Sequence, residues 1–144
     1  MDVSDLRGLG DVLLDGEIEP EQVRSALCSL LSLPAGEVAV VENYEDLAAH
    51  APEAKVACLV SRLSGGDFPT LLSVFEGVTA DMPRIATAAR FCRLLRCRCL
   101  VDDGSNNPYT FLLVDPAERC RRVGVDVGRW DRDEYVIDRM EPLP

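Results

Sequence analysis

Apolar and polar residues follow two different periods along this chain of 144 residues. Within residues 20–32, apolar side chains recur every three or four positions, which predicts an amphipathic helix. Residues 82–95 show the same period and predict a second helix, with Pro83 in its first turn and Thr79 or Asp81 as its cap. Elsewhere the apolar residues form short runs bounded by turn-forming residues, which is typical of β-strands.

The short apolar runs predict seven strands and a short eighth one. They are residues 12–14, 38–41, 56–60, 68–75, 97–101, 109–114, 122–127 and 135–137. Pro69 favours an edge position or the start of its strand, and residues 43–52 are predicted as a loop with one helical turn at 44–49. Because the connections are short, we expect mostly antiparallel pairing. The sequence therefore predicts a single α+β domain over residues 1–144, in which two main helices pack on one face of a mostly antiparallel sheet.

Acidic residues are concentrated in the first third of the chain. The formal net charge is −10, and residues 1–53 carry twelve acids against two bases. The remaining residues balance thirteen acids with thirteen bases. A negative field of this kind repels nucleic acid and speeds encounters with basic partners, although it also serves solubility alone. We therefore expect a basic protein partner and no nucleic-acid partner.

Cysteine content and hydropathy bear on the cellular compartment. No run approaches the roughly 18 apolar residues of a membrane span, and residues 1–7 lack the pattern of a secretion signal. We expect a cytoplasmic protein without a membrane partner, in which thiols stay reduced and buried cysteines act as small apolar residues. The six cysteines predicted to lie mostly in the core are Cys28, Cys58, Cys92, Cys97, Cys99 and Cys120.

Few residues are candidates for a metal site or a catalytic site. Cys92, Cys97 and Cys99 have the spacing C-x4-C-x-C, without the C-x2-4-C or histidine pair that is usual in zinc sites. His50 is the only histidine and lies in the predicted loop, and no nucleophile signature accompanies it. We therefore predict no metal, no cofactor and no catalytic residue.

Carboxylates and arginines offer two further candidates. Asp102, Asp103 and Asp115 flank a predicted hairpin, where paired carboxylates could bind Mg²⁺ or exchange protons. The surrounding Asp-Asp-Gly-Ser-Asn-Asn-Pro segment is also the composition of a turn, which favours a structural role. Because the whole chain carries a net charge of −10, we expect the arginines between residues 84 and 122 to pair with the chain's own acids rather than with nucleic acid.

Small size, an acidic first third and no catalytic motif favour a protein that binds and masks another protein. In general outline the chain resembles bacterial immunity proteins, which are small acidic cytosolic domains that block a toxin, often a basic nuclease. Type III secretion chaperones are similar in size and acidity, but they usually open and close with helices. The predicted partner-binding residues are Glu42, Tyr44, Glu45, Asp46, Asp102 and Asp103.

Two other functions stay open from the sequence. The chain could be an accessory subunit that holds a larger assembly together. It could also be a small enzyme that uses the carboxylates of Asp102, Asp103 and Asp115, or an activated thiol, in which case one cysteine should be accessible and have a lowered pKa.

Overall fold

The structure, a computed structural model, describes residues 2–50, 54–75 and 79–141. In these ranges the chain forms eight strands and four α-helices. The strands are β1 (Asp11–Leu14), β2 (Val38–Val41), β3 (Val56–Arg62), β4 (Thr70–Val74), β5 (Cys99–Asp102), β6 (Thr110–Val114), β7 (Cys120–Val125) and β8 (Ile137–Glu141). The helices are α1 (Pro20–Leu31), α2 (Tyr44–His50), α3 (Arg84–Leu95) and α4 (Val127–Trp130). The predicted α+β class is confirmed.

All eight strands belong to one sheet in the order β2-β3-β4-β1-β5-β6-β7-β8. The strand nearest the N-terminus thus lies in the middle, where Val12 is opposite Leu72 of β4 on one side and Val101 of β5 on the other. β2 and β3 are parallel, and every other neighbouring pair is antiparallel. The mostly antiparallel sheet predicted from the short connections is therefore correct except at this one pair.

The parallel pair explains why residues 43–52 differ from their prediction. Residues 42–55 join β2 to β3, and this is long enough for the crossover that two parallel strands require. Instead of one helical turn in a loop, the segment contains α2, which packs against both strands. Residues 51–53 of the predicted loop lie outside the described part of the chain.

The two main helices cover one face of the sheet. Along β1, Val12 and Leu14 point to this face, and they share a buried core with Leu27 of α1 and Phe91 of α3. Alternate residues of a strand point to opposite faces, so Leu13 points away from the helices. The predicted packing of two helices on one face is confirmed. No helix in residues 2–50, 54–75 or 79–141 combines the length and apolar character needed to cross a membrane.

The opposite face has a second, smaller core. Leu13, Leu100 and Leu113 lie on it in three adjacent strands, together with the fully buried ring of Phe68. Neither of the two long helices of the described chain covers this core. It is covered instead by the β3–β4 loop, residues 63–69, and by residues 126–136 after β7.

These two covering segments are joined to each other. Gly66 forms a bridge with Tyr135, whose carbonyl accepts a hydrogen bond of 2.9 Å from the Asp67 amide. Edge-to-face contacts add to the cover, with ring centroids 5.1 Å apart for Tyr109 and Trp130 and 5.7 Å apart for Phe111 and Tyr135. Aromatic pairs of this geometry contribute about 0.5–1.5 kcal/mol beyond the area they bury.

Several predicted boundaries shift for local reasons. β7 ends at Val125 rather than at residue 127, because the Asp126 side chain accepts a hydrogen bond from the Arg129 amide and begins α4. The predicted cap of α3 is wrong, since Pro83 occupies the cap position and makes no side-chain cap bond. Phe68 precedes β4 instead of belonging to it, whereas Pro69, just before Thr70, agrees with its predicted place at the start of a strand.

Candidate functional site

The six predicted partner-binding residues fall into two separate groups. Glu42 and residues 44–46 follow β2 at one edge of the sheet, whereas Asp102 and Asp103 follow β5. Three strands, β3, β4 and β1, stand between β2 and β5. Four steps of about 4.8 Å place the two strands about 19 Å apart. The structure therefore does not bring the six residues into one small site.

The first group is held by the start of α2. The Asn43 side chain accepts a hydrogen bond of 2.8 Å from the Asp46 amide and donates one of 3.1 Å to the Asp46 carboxylate. This arrangement caps the helix, and carboxylates in the first turn interact favourably with the positive end of the helix dipole. The Asp46 carboxylate is therefore held by Asn43, and Glu45 lies beside it in the same helical turn.

The first group combines exposed carboxylates with an exposed aromatic ring. Glu42, Glu45 and Asp46 are all exposed, and none of them has an ion-pair partner in the described ranges. Between them lies Tyr44, with 71% of its surface exposed, the largest exposed fraction among the big hydrophobic side chains described. We call Glu42, Tyr44, Glu45 and Asp46 the acidic surface.

A shallow groove runs beside the acidic surface along β2. Its volume is about 170 Å³, and it is open to solvent. The lining residues are Arg24, Ala35, Gly36, Val38, Ala39, Val40, Val41 and Ala54. We call it the edge groove, because β2 is the last strand on this side of the sheet.

Asp103, in the second group, is not a surface residue. Only 5% of it is exposed, and its carboxylate accepts hydrogen bonds from the Ser105 amide and hydroxyl and from the Arg122 guanidinium. Burial acts to raise the pKa of Asp103, but the bonds from Ser105, with the Arg122 charge, bring that pKa below its usual value. Asp102 is exposed and accepts a hydrogen bond from the Gly104 amide. Asp103 therefore stabilises the β5–β6 connection instead of facing a partner.

Asp103→Asn should lower the free energy of unfolding by about 1–3 kcal/mol at pH 7, because the buried Arg122 bond loses its charged acceptor. Since the folded pKa of Asp103 is depressed, its stabilisation is present above the unfolded pKa of about 3.9 and is lost as pH falls through the folded value. Urea unfolding at pH 7, 5, 4 and 3 should show the gap between wild type and variant closing below about pH 4. Asp102→Asn, a neighbouring exposed carboxylate, should change the stability by less than about 0.5 kcal/mol. A gap that stays constant down to pH 3 would contradict the assigned role.

The third carboxylate of the predicted hairpin also has a structural role. Asp115 accepts hydrogen bonds from the amides of Ala117 and Arg119 and from the Arg119 guanidinium. These bonds lower the pKa of Asp115 against the opposing effect of burial. The turn interpretation of Asp103 and Asp115 is thus what the local geometry shows.

The cysteines line the core as predicted. Cys58, Cys92 and Cys99 are buried, and the other three are half-buried against the helix-covered face. Burial raises the pKa of Cys58 to about 12 and that of Cys120 to about 11. A hydrogen bond with Cys92, together with burial, raises the pKa of Cys97 as well. The thiols of Cys58, Cys97 and Cys120 are thus protonated at neutral pH, which is the opposite of what an activated nucleophile needs.

Ion pairs and carbonyls take up most of the arginines in the 84–122 stretch. Arg98, Arg119 and Arg122 pair with Asp15, Asp115 and Asp103. The Arg84 guanidinium donates to the carbonyls of Arg7, Gly8 and Asp102 and so fixes the N-terminal segment to β5. The sequence pattern did not reveal this role, because the acceptors are backbone groups brought in by the fold.

The charged residues that line a second groove, beside β7 and β8, form ion pairs with one another. A groove of about 460 Å³ next to β7 and β8 contains Asp103 with Arg122, and Arg139 with Glu141. In the described ranges, no cluster of three or more His, Cys, Asp or Glu side chains is arranged to hold a metal ion. Comparison of the chain with protein-family models, with curated proteins and with solved structures found no match. The acidic surface and the edge groove are therefore the candidate functional site, on geometry alone.

Proposed function

We propose that this protein binds and masks a basic partner protein, as an inhibitor of the immunity-protein type. The observation that carries the proposal is the acidic surface, in which exposed Tyr44 lies among three carboxylates without ion-pair partners in the described ranges. Eight other carboxylates of the described chain form ion pairs. An uncompensated charged patch around an exposed aromatic residue is the anatomy of a binding site.

The carboxylates and the tyrosine of the acidic surface affect different rates of binding. Glu42, Glu45 and Asp46 steer a basic partner toward the site, so they act on the association rate. Tyr44 supplies contact area with few rotatable bonds, so it acts mainly on the dissociation rate. We propose a cytoplasmic location for this activity, where the half-buried thiols remain reduced.

Binding is favoured over catalysis by the state of the candidate catalytic groups. Asp103 and Asp115 hold turns, and the raised pKa values of Cys58, Cys97 and Cys120 keep these thiols protonated. The role of an accessory subunit would use the same surface in a permanent assembly. Retention of the partner's activity in the complex would indicate a subunit, and its loss would indicate an inhibitor.

The test is capture of the tagged protein's partner from its source organism, followed by kinetics with the purified partner. We expect one basic protein in equal amount, inhibited on binding, with an association rate that falls as salt rises. The triple variant Glu42→Lys, Glu45→Lys and Asp46→Lys should slow association at least about 10-fold.

The matched control reverses the charge at three other exposed carboxylates that have no ion-pair partner in the described ranges. Glu118→Lys, Asp131→Lys and Asp138→Lys change the net charge by the same amount at distant positions. This control should slow association far less than the first triple variant. Equal effects of the two triple variants would refute the assignment to the acidic surface, and the absence of any stoichiometric partner would refute the proposed function.

A further inference from the structure

The outer side of β2 carries backbone groups that have no strand partner in the described part of the chain. β2 is the terminal strand of the sheet, and its only strand neighbour in the described chain is β3. The Val38 carbonyl accepts a hydrogen bond of 2.9 Å from the Arg24 guanidinium, so it points away from β3. Because backbone groups alternate in direction along a strand, the N–H and C=O of Val40 point outward as well. These groups lie along the edge groove.

The composition of β2 contrasts with that of the opposite edge strand. β8 carries Asp138, Arg139 and Glu141 and is largely exposed, which is how sheets discourage another strand from pairing with an edge. β2 consists of Val38, Ala39, Val40 and Val41 and has no charged residue. Among the described residues, Arg24 is the one charged group hydrogen-bonded to this edge, and its bond occupies a single carbonyl.

Charged residues next to β2 select what can approach the edge. Glu37, which pairs with Lys55, precedes the strand directly. Glu42 follows it directly, and Glu45 and Asp46 lie just beyond. Two copies of β2 placed edge to edge would bring these carboxylates together, and such like-charge contacts are unfavourable. A chain rich in lysine and arginine would gain from the same charges.

We propose that the edge groove binds an extended, basic segment of the partner protein, which adds to the sheet as a strand beside β2. The main-chain groups of Val38 and Val40 supply the hydrogen bonds, and the acidic surface pairs with the basic side chains. Arg24 leaves the Val38 carbonyl when the segment binds. This inference rests on the proposed function and names the manner of binding.

The first experiment uses blocked nine-residue peptides of alternating valine and threonine with lysine and arginine at both ends. Titrated into the isotope-labelled protein, they should shift the amide signals of Val38 and Val40. Two N-methylated versions of the peptide distinguish its two edges. In each version alternate backbone nitrogens are methylated, so that the N–H groups of one edge are blocked. The version methylated on the edge that faces β2 should bind at least about 10-fold more weakly, while the other should bind like the parent, because only one edge donates to the protein.

A second experiment changes the protein at one hydrogen bond. Arg24→Gln removes the competitor for the Val38 carbonyl and one positive charge, so the basic peptide should bind about 2- to 5-fold more tightly. Arg62→Gln removes an arginine that pairs with Glu19 at another place and should leave the affinity unchanged. Weaker binding by Arg24→Gln would overturn the assigned role of Arg24.

The remaining outcomes distinguish this inference from the proposed function. Shifts confined to residues 42–46, or equal loss of binding with both methylated peptides, would overturn strand addition while leaving a protein-binding acidic surface in place. Equal binding of a glutamate-flanked peptide would overturn the charge selection. A doubled mass of the free protein in light scattering, with the β2 amides protected, would show that a second copy occupies the edge and overturn the proposal. No shift with any of the peptides would also overturn it.

Discussion

Phe68→Ala is expected to lower the free energy of unfolding by about 3–5 kcal/mol. The Phe68 ring is fully buried and packs in the second core with Leu13, Leu100 and Leu113. Removing the ring leaves a cavity between the β3–β4 loop and the sheet. The cavity can close only if the backbone of the loop or of the sheet moves. Since a typical domain is stable by about 5–15 kcal/mol, this is the largest single-residue effect we expect. Urea unfolding monitored by circular dichroism measures the change.

Phe75→Ala is the matched control for this prediction. Phe75 follows β4 and leaves 39% of its surface exposed, so its removal should cost less than about 1.5 kcal/mol. Equal destabilisation by both variants would mean that the second face is not a core in its own right.

Gly66→Ala is expected to lower the free energy of unfolding by about 2–4 kcal/mol. Gly66 has a φ of +86°, a conformation that side-chain-bearing residues adopt at a cost. A Cβ at this position would also lie 2.8 Å from the Tyr135 nitrogen and 3.1 Å from its oxygen. Because these are backbone atoms, the bridge between the two covering segments would have to open. Urea unfolding and the near-ultraviolet circular dichroism of the Tyr135 and Trp130 region report the two consequences.

Gly36→Ala is the comparison for Gly66→Ala. No atom lies within 4 Å of the position that its Cβ would take. The stability should therefore stay within about 0.5 kcal/mol of wild type. Normal stability of Gly66→Ala would show that the bridge to Tyr135 contributes little to holding the second face closed.

The sequence predicts those helices and strands whose apolar pattern can be read from neighbouring residues alone. The apolar stripe of residues 20–32 and the run at 56–60 both correspond to real elements, α1 and β3, because burial on one side of a helix or on both sides of a strand leaves a direct trace in the sequence. The strand predicted at 135–137 shares only Ile137 with β8, since the Ile-Asp-Arg-Met-Glu sequence of β8 has little apolar alternation. An exposed edge strand does not need such alternation.

Strand order was not predictable in the same way. Apolar β2 has the composition of a central strand, yet it lies at an edge, and the parallel pairing with β3 depends on which strands meet in space. At the site, the polarity of residues 42–46 correctly indicated exposure. The burial of Asp103 did not follow from its turn-like neighbours, because the Arg122 partner comes from a strand nineteen residues further along the chain.

The position of β1 in the middle of the sheet sets an order for biosynthesis and folding. β1 is synthesised before every other strand of this sheet, yet its two neighbours are β4 and β5. By contrast, β5, β6, β7 and β8 follow one another in the chain and in the sheet, so each of these can pair as soon as it emerges. Contacts that join distant parts of a chain form slowly, because long loops must close first. β1 therefore gains its first strand partner when β4 has emerged, and its second only after β5, which ends at Asp102, has left the ribosome. The central strand is made first and completed late.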